Sequence, residues 1–159
     1  MAHAEVDFYH NKYFGDILTD ETFPKWVEEA SDWLDTITFK RLVKGFPSNE
    51  WDAKRVRKCV CKLADILYLL DEAQKSTNVS GSTDENGENE KKIKSVSSGS
   101  ESVTYITPAE QTSSAKELSA AYAVASDKAK ITGLLVRTAR EYLSGVSDDS
   151  GTLLLYAGV

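Results

Sequence analysis

Apolar side chains at Phe23, Trp26, Val27, Ala30, Trp33, Leu34 and Ile37 recur at steps of three and four, which places them on one face of an α-helix. Glu28, Glu29, Asp32 and Asp35 fill the opposite side. Pro24 falls in the first turn, where a missing N–H costs nothing, so the helix is predicted to begin near Thr22. Residues 45–49 (GFPSN) break the pattern, and Asn49 with Asp52 three residues on marks the start of a second helix over 50–75. Its seam is Val56, Val60, Leu63, Leu67 and Leu70, widened by Cys59, Ile66 and Ala73. The first half carries Lys54, Arg55, Arg57, Lys58 and Lys62, and the end carries Asp71 and Glu72. Charges on both helices run against the helix dipole, at about a few tenths of a kcal/mol each.

Upstream, residues 6–15 place Phe8, Tyr9, Tyr13 and Phe14 before Gly15, which predicts an irregular aromatic plug docked on the core. Downstream, residues 76–90 are polar and acidic with Val79 alone to bury, the pattern of a mobile loop. Two β-favouring runs then flank Ser98-Gly99-Ser100 and predict a hairpin over 92–106, an element marginal in water without a neighbour. Capping-box spacing occurs at Thr107-Pro108-Ala109-Glu110 and again at Ser114-Ala115-Lys116-Glu117, so a third helix starts at one or the other and is predicted to continue to Ser144. From Ser114 it would be roughly 46 Å long. Leu118, Tyr122, Ala125, Ala129, Leu135, Ala139, Tyr142 and Leu143 supply its apolar face, and Gly133 marks a possible bend. After the breaker cluster at 145–151, a glycine-bounded flexible linker, the chain ends on Thr152-Leu153-Leu154-Leu155-Tyr156-Ala157-Gly158-Val159. Such a run either folds back as an edge strand or inserts into a partner.

The fold expected is mainly α: a bundle of three main helices with a β-hairpin between the second and third, and an extended C-terminal arm. At 159 residues the chain fits one domain, 1–151, followed by the arm at 152–159. Its 19 basic and 25 acidic side chains give a net charge of −6, which argues against a protein held to nucleic acid mainly by bulk electrostatics. No apolar run approaches the roughly 20 residues of a membrane span, and the first residues lack the pattern of a signal peptide, so the chain reads as soluble and unsecreted. Cys59 and Cys61 stand two apart on a helix and point in separate directions, which disfavours a mutual disulfide or a shared metal. They read as small buried thiols, with a reactive thiol activated by the neighbouring cations as the alternative. His3 and His10 lie near the N-terminus outside any catalytic motif and read as solvated. No catalytic, cofactor or metal site is expected, and no phosphate-cradling glycine loop is present in the sequence.

The opposed charges admit three readings. The first two helices lie antiparallel within one chain and compensate each other. Alternatively Glu28, Asp32 and Asp35 face Lys54, Arg55, Lys58 and Lys62 of a neighbouring copy. The third reading is a small helical regulator that binds nucleic acid through Lys54, Arg55, Arg57, Lys58 and Lys62.

Several stretches together resemble the head-tail connector (head-completion or adaptor) proteins of long-tailed double-stranded DNA bacteriophages. Phe8-Tyr9-His10-Asn11-Lys12-Tyr13-Phe14-Gly15 is similar to the family's tyrosine-rich opening before a glycine. Asp20-Glu21-Thr22-Phe23, then Ala30 to Thr38, resemble its acidic start, its Phe and a helix ending in aspartate and threonine. The stretch from Cys59 to Tyr68 resembles its second helix. Ile93 to Ser97 and Ser102 to Tyr105 resemble its hairpin, and Tyr142-Leu143 followed by Leu153 to Val159 resembles its ending, written YL, a spacer and GLLYRGV. This chain departs from that ending with Leu153 for a frequent glycine and Ala157 for a frequent arginine.

The resemblance implies a non-enzymatic structural protein of the virion, assembled in the bacterial cytoplasm and located at the head-tail interface. It implies a homo-oligomeric, dodecameric ring docked on the portal protein after packaging, and no cofactor. The ring extends the DNA tunnel, touches packaged double-stranded DNA transiently and offers a platform to a stopper or tail-completion protein. Transferred to this sequence, Leu153, Leu154, Leu155, Tyr156 and Val159 become the portal-docking arm. Val96, Ser98, Gly99, Ser100 and Val103 become a hairpin facing the tunnel or the next component.

Overall fold

The computed structural model describes residues 2–79, 93–95, 104–105, 121, 123–125 and 127–155. In chain order the elements are α1 (Val6–Phe8), which runs into a π-helical turn at Tyr9–Tyr13, then α2 (Phe23–Ile37), α3 (Arg41–Lys44), α4 (Glu50–Val79), β1 (Ile93–Ser95), β2 (Thr104–Tyr105) and α5 (Lys128–Leu143). The protein is mainly helical.

The apolar stripe of α2 is buried at Phe23, Trp26, Val27, Ala30 and Leu34. Pro24 sits in the first turn, and the helix ends where the Thr38 hydroxyl donates to the Leu34 carbonyl at 2.9 Å. Phe39 and Lys40 then take left-handed φ values of 56° and 58°, and the Lys40 amide closes the end on the Asp35 carbonyl at 2.7 Å. Asn49 starts α4 by accepting from the Trp51 amide at 2.9 Å.

α2 and α4 are antiparallel. The Trp26 and Tyr68 rings meet edge to face with centroids 6.0 Å apart. At the other end of α2, Asp35 binds His3, whose ring packs 5.7 Å from Phe46, and Arg57 of α4 lies 5.3 Å from that same Phe46 ring. α4 is the central element, packed by both α2 and α5. Its seam is buried at Val56, Cys59, Val60, Leu63, Ile66, Leu70 and Ala73, and so are Cys61, Ala64 and Asp65 outside that seam.

Three expectations need correction. α4 continues to Val79, so residues 76–79 are helix and not loop, and Asp71 and Glu72 lie well inside it. There they pair with Lys75 at 2.6 and 3.0 Å, which removes most of the penalty of acids at a helix end. The third helix is not continuous from 107 or 114: α5 starts at Lys128, because Asp127 is extended (φ −124°, ψ 104°) and its carboxylate accepts from the Ala129 and Lys130 amides at 3.0 and 3.2 Å. Gly133 lies within α5 on an open face. His3 is packed, its side chain 7% exposed and its Nε2 2.7 Å from Asp35 Oδ1.

β1 and β2 pair antiparallel, Ile93 opposite Tyr105 and Ser95 opposite Thr104, with one irregularity in register. Val96, Ser98, Gly99, Ser100 and Val103 lie outside the described residues, as do residues 80–90 of the expected loop and the two capping-box starts.

The N-terminal aromatics are tied down by a buried carboxylate. Asp65 of α4 accepts from the Tyr9 hydroxyl at 2.7 Å and, on its other oxygen, from the Tyr13 hydroxyl at 2.8 Å. The Tyr9 oxygen also accepts from the Leu18 and Ile17 amides at 3.0 and 3.2 Å. Burial first, and then the Asp65 carboxylate, raises both phenols well above the usual tyrosine range. Gly15 lies against the Tyr9 ring so closely that an added Cβ would overlap Cζ, Cε1 and Cε2.

Gly15→Ala is therefore expected to cost about 2–3 kcal/mol, because the tyrosine cannot yield without breaking its hydrogen bonds. Tyr9→Phe should cost about 1–3 kcal/mol by stranding an Asp65 oxygen and the Leu18 amide. Urea unfolding checks both, and wild-type midpoints would show that the triad does not hold the segment.

Candidate interaction surface

Beyond α5 the chain makes an ordered turn where the sequence suggested a flexible linker. Gly145 and Gly151 supply left-handed φ values of 77° and 81°. Between them the Asp148 carboxylate accepts from the Ser150 hydroxyl and from the Ser150 and Thr152 amides. Asp149 reaches across to the segment before α4 and accepts from both the amide and the hydroxyl of Ser48 at 2.7 Å. The Ser150 hydroxyl, chiefly, lowers the Asp148 pKa, and the Ser48 amide, chiefly, lowers that of Asp149. Their contribution to the turn is thus present above the usual carboxylate range and lost as the pH falls through the lowered values.

The turn carries the C-terminal run back onto the body. Ser147 and Leu153 form an isolated antiparallel bridge, and the Leu154 amide donates to the Val146 carbonyl at 2.9 Å. Arg41 clamps the run from α3, with Nη1 3.2 Å from the Leu153 carbonyl and 3.1 Å from that of Leu154. Leu154 is fully buried (0% exposed), which corrects its placement in a free docking arm: it is a core side chain of its own chain. Leu155 is partly buried, Leu153 is 47% exposed, and Tyr156 and Val159 lie outside the described residues. Leu153 and Phe39 are both exposed and both adjoin Arg41, which binds the Leu153 carbonyl and whose guanidinium lies 5.4 Å from the Phe39 ring.

A second surface lies where α4 begins and α5 ends. A groove of about 510 Å³ is lined by Trp51, Lys54, Arg55, Lys58, Glu141 and Tyr142. Trp51 is 58% exposed, and the Arg55 guanidinium stacks 4.7 Å from its ring. Arg55 also donates through Nε to the Tyr142 carbonyl at 2.6 Å and through Nη2 to that of Glu141 at 3.0 Å, capping the α5 C-terminus.

The charged positions singled out in the sequence thus divide. Asp35 is buried against His3, which corrects it as a subunit-contact candidate; Arg55, half-buried, caps α5 of its own chain while its guanidinium lines the groove beside Trp51. Arg57 lies over the Phe46 ring. Glu28, Asp32 and Lys54 are exposed, Lys58 and Lys62 are half-buried, and Glu28 and Lys62 are already engaged by other groups. Trp51, Phe39 and Arg41 went unremarked in the sequence. Trp51 had a signal, since it stands off the α4 seam; the other two had none, because Phe39 is set by a left-handed turn and the partners of Arg41 lie 112 and 113 residues away.

Cys59 and Cys61 are buried free thiols. Burial pushes Cys59 up, outweighing the nearby Arg55 charge, and pushes Cys61 up to about 12, with Asp65 adding to it. Among the described residues no group of three His, Cys, Asp or Glu side chains is placed to hold a metal, and no helix is long and apolar enough to cross a membrane.

Comparison of the chain with protein-family models, with curated proteins and with solved structures found no match.

Two outcomes follow. Both thiols should stay unreactive toward a chromogenic disulfide reagent at about pH 8 until the chain is unfolded; rapid native-state labelling would contradict their burial. Arg41→Ala should speed hydrogen exchange at the Leu154 amide and cost about 1–2 kcal/mol, while unchanged exchange would show that the clamp does not hold the run.

Proposed function

We propose that this protein is a structural, non-catalytic adaptor that assembles as a ring at the phage head-tail interface, docks on the portal and extends the DNA tunnel. The observation that carries the reading is the pair of exposed apolar side chains Phe39 and Leu153, which both adjoin Arg41. Large apolar side chains held outward on an ordered framework suit a partner surface, each contributing about 1.5–3 kcal/mol when covered. In this reading the docking element is Leu153 with residues 155–159, and Leu154 is the root that fixes where the element departs. Repetition around a ring turns modest single contacts into firm attachment through effective concentration. The hairpin at 92–106 faces the tunnel or the next component, and a net charge of −6 lets packaged DNA slide past it. The ordered α-helical framework and the resemblance of the sequence to head-tail connectors support the same role.

The test is binding of the full chain to a portal protein from the same genome. Leu153→Asp and removal of residues 156–159 should each weaken that binding about tenfold or more, with the thermal midpoint within a few degrees of wild type. Truncation before Leu154 is unsuitable, since it would remove a core side chain. Undiminished portal binding by both variants would overturn the docking reading.

A further inference from the structure

We infer that the groove at the α4–α5 junction receives the acidic outer face of α2, Glu29 and Asp32, from a second copy of this chain. The inference rests on the ring reading and adds to it the contact by which neighbouring subunits engage.

The groove has an apolar anchor and a positive wall. Trp51 presents more than half of its surface, and the stacking of Arg55, itself fixed by two carbonyls of α5, holds the indole in place before any partner arrives. Lys54 and Lys58 stand one turn apart beside it, and Glu141 is the one carboxylate among the lining residues. An aromatic in a preorganised, partly polar recess is the usual centre of a protein contact.

The complementary surface is on the page. α2 exposes Glu29 and Asp32 on the side away from its buried stripe. Residues three and four apart on a helix lie about 5–6 Å from each other, so the two carboxylates match the Lys54–Lys58 spacing.

The two surfaces do not meet within one molecule. The antiparallel register set by Trp26 against Tyr68 brings Lys54 level with the chain just beyond the end of α2. Glu29 is then about 16 Å from the level of Lys54 along the axis, while Asp32 lies about 6 Å from the level of Lys58, so it is the facing of the two surfaces that keeps them apart. The groove opens toward α5, and the acidic face of α2 points away from α4. Two unlike, complementary surfaces on one chain make a head-to-tail contact, the kind that closes a ring when the rotation between copies permits.

The experiment is charge reversal with exchange, on the full chain, read by sedimentation velocity over a concentration series at low ionic strength. Wild type should self-associate, less so as salt rises. K54E/K58E alone and E29K/D32K alone should each weaken association about tenfold or more. An equimolar mixture of the two variants should restore it, as should the chain carrying all four changes, which rules out misfolding as the cause of the loss. Trp51→Ala should weaken association without altering its salt dependence.

Association that survives both reversals, or that the mixture fails to restore, overturns the inference. A wild type that stays monomeric throughout overturns it as well, whereas the adaptor reading is decided separately by portal binding. Salt-sensitive binding of a single- or double-stranded oligonucleotide, abolished by K54E/K58E while self-association is unchanged, would assign the groove to nucleic acid instead.

Discussion

A carboxylate buried at Asp65 is affordable only if both of its oxygens find donors, and the arrangement of the N-terminal third follows from that demand. A lone ionised group in this position would cost several kcal/mol. Tyr9 and Tyr13 supply one hydroxyl each, four residues apart across a π-helical turn that brings both to the same side chain. The Tyr9 oxygen then takes up the Leu18 amide, and its ring packs 5.1 Å from that of Phe23 at the start of α2. One charge on α4 thereby locates the opening segment, the loop after it and the first turn of the helix that packs beside α4. Gly15 is fixed by the same geometry, since the chain turns directly over the tyrosine ring.

Two arginines do the corresponding work at the other end of the molecule, and both do it by donating to backbone carbonyls. Arg41 gives its donors to the Leu153 and Leu154 carbonyls, and Arg55 gives its own to the last turn of α5. A planar guanidinium suits this task because it can satisfy two carbonyls at once and still offer a face to an aromatic ring, as both do with Phe39 and Trp51. The consequence is a division of the basic residues of early α4. Arg55 and Arg57 are spent on their own chain, and the outward positive charge comes from Lys54 and Lys58.

This division explains which parts of the architecture were legible in the sequence. The stripe of α2 and the seam of α4 are local periodicities, and Pro24 and Asn49 are local start signals, so those helices emerge with nearly correct bounds. The interruption before α5 was hidden because capping-box spacing upstream and an alanine-rich stretch both favour helix, while the deciding residue, Asp127, is an unremarkable acid until its carboxylate is seen on two amides. Long-range polar partners leave no pattern at all: Tyr9 and Asp65 are 56 residues apart, and Arg41 and Leu154 are 113 apart. Of the candidate surface, the charges of Lys54 and Lys58 were visible, but the commitment of Arg55 and Asp35 to their own chain was not. The burial of Leu154 was one of two outcomes that an apolar terminal run permits, and composition has no means to choose between them.

The strained backbone at the end of α2 bears on the same question. Phe39 and Lys40 both adopt left-handed φ, which costs a residue with a side chain about 1–2 kcal/mol. Glycine at either position would relieve it. The turn nonetheless keeps an aromatic at Phe39, holds it exposed, and braces it with Arg41, which also binds the Leu153 carbonyl. The left-handed turn closes the end of α2, which glycine would do at lower cost, so the extra cost of keeping a large apolar side chain there in solvent has no return within the turn itself. Covering that side chain with a partner supplies the return. Trp51 is likewise a large side chain left exposed, without backbone strain, and the two lie on distinct surfaces, one assigned to the proposed portal contact and one to the proposed contact between copies. An adaptor within a ring requires at least that much separation, because each subunit must hold its neighbours and the assembly above it at once.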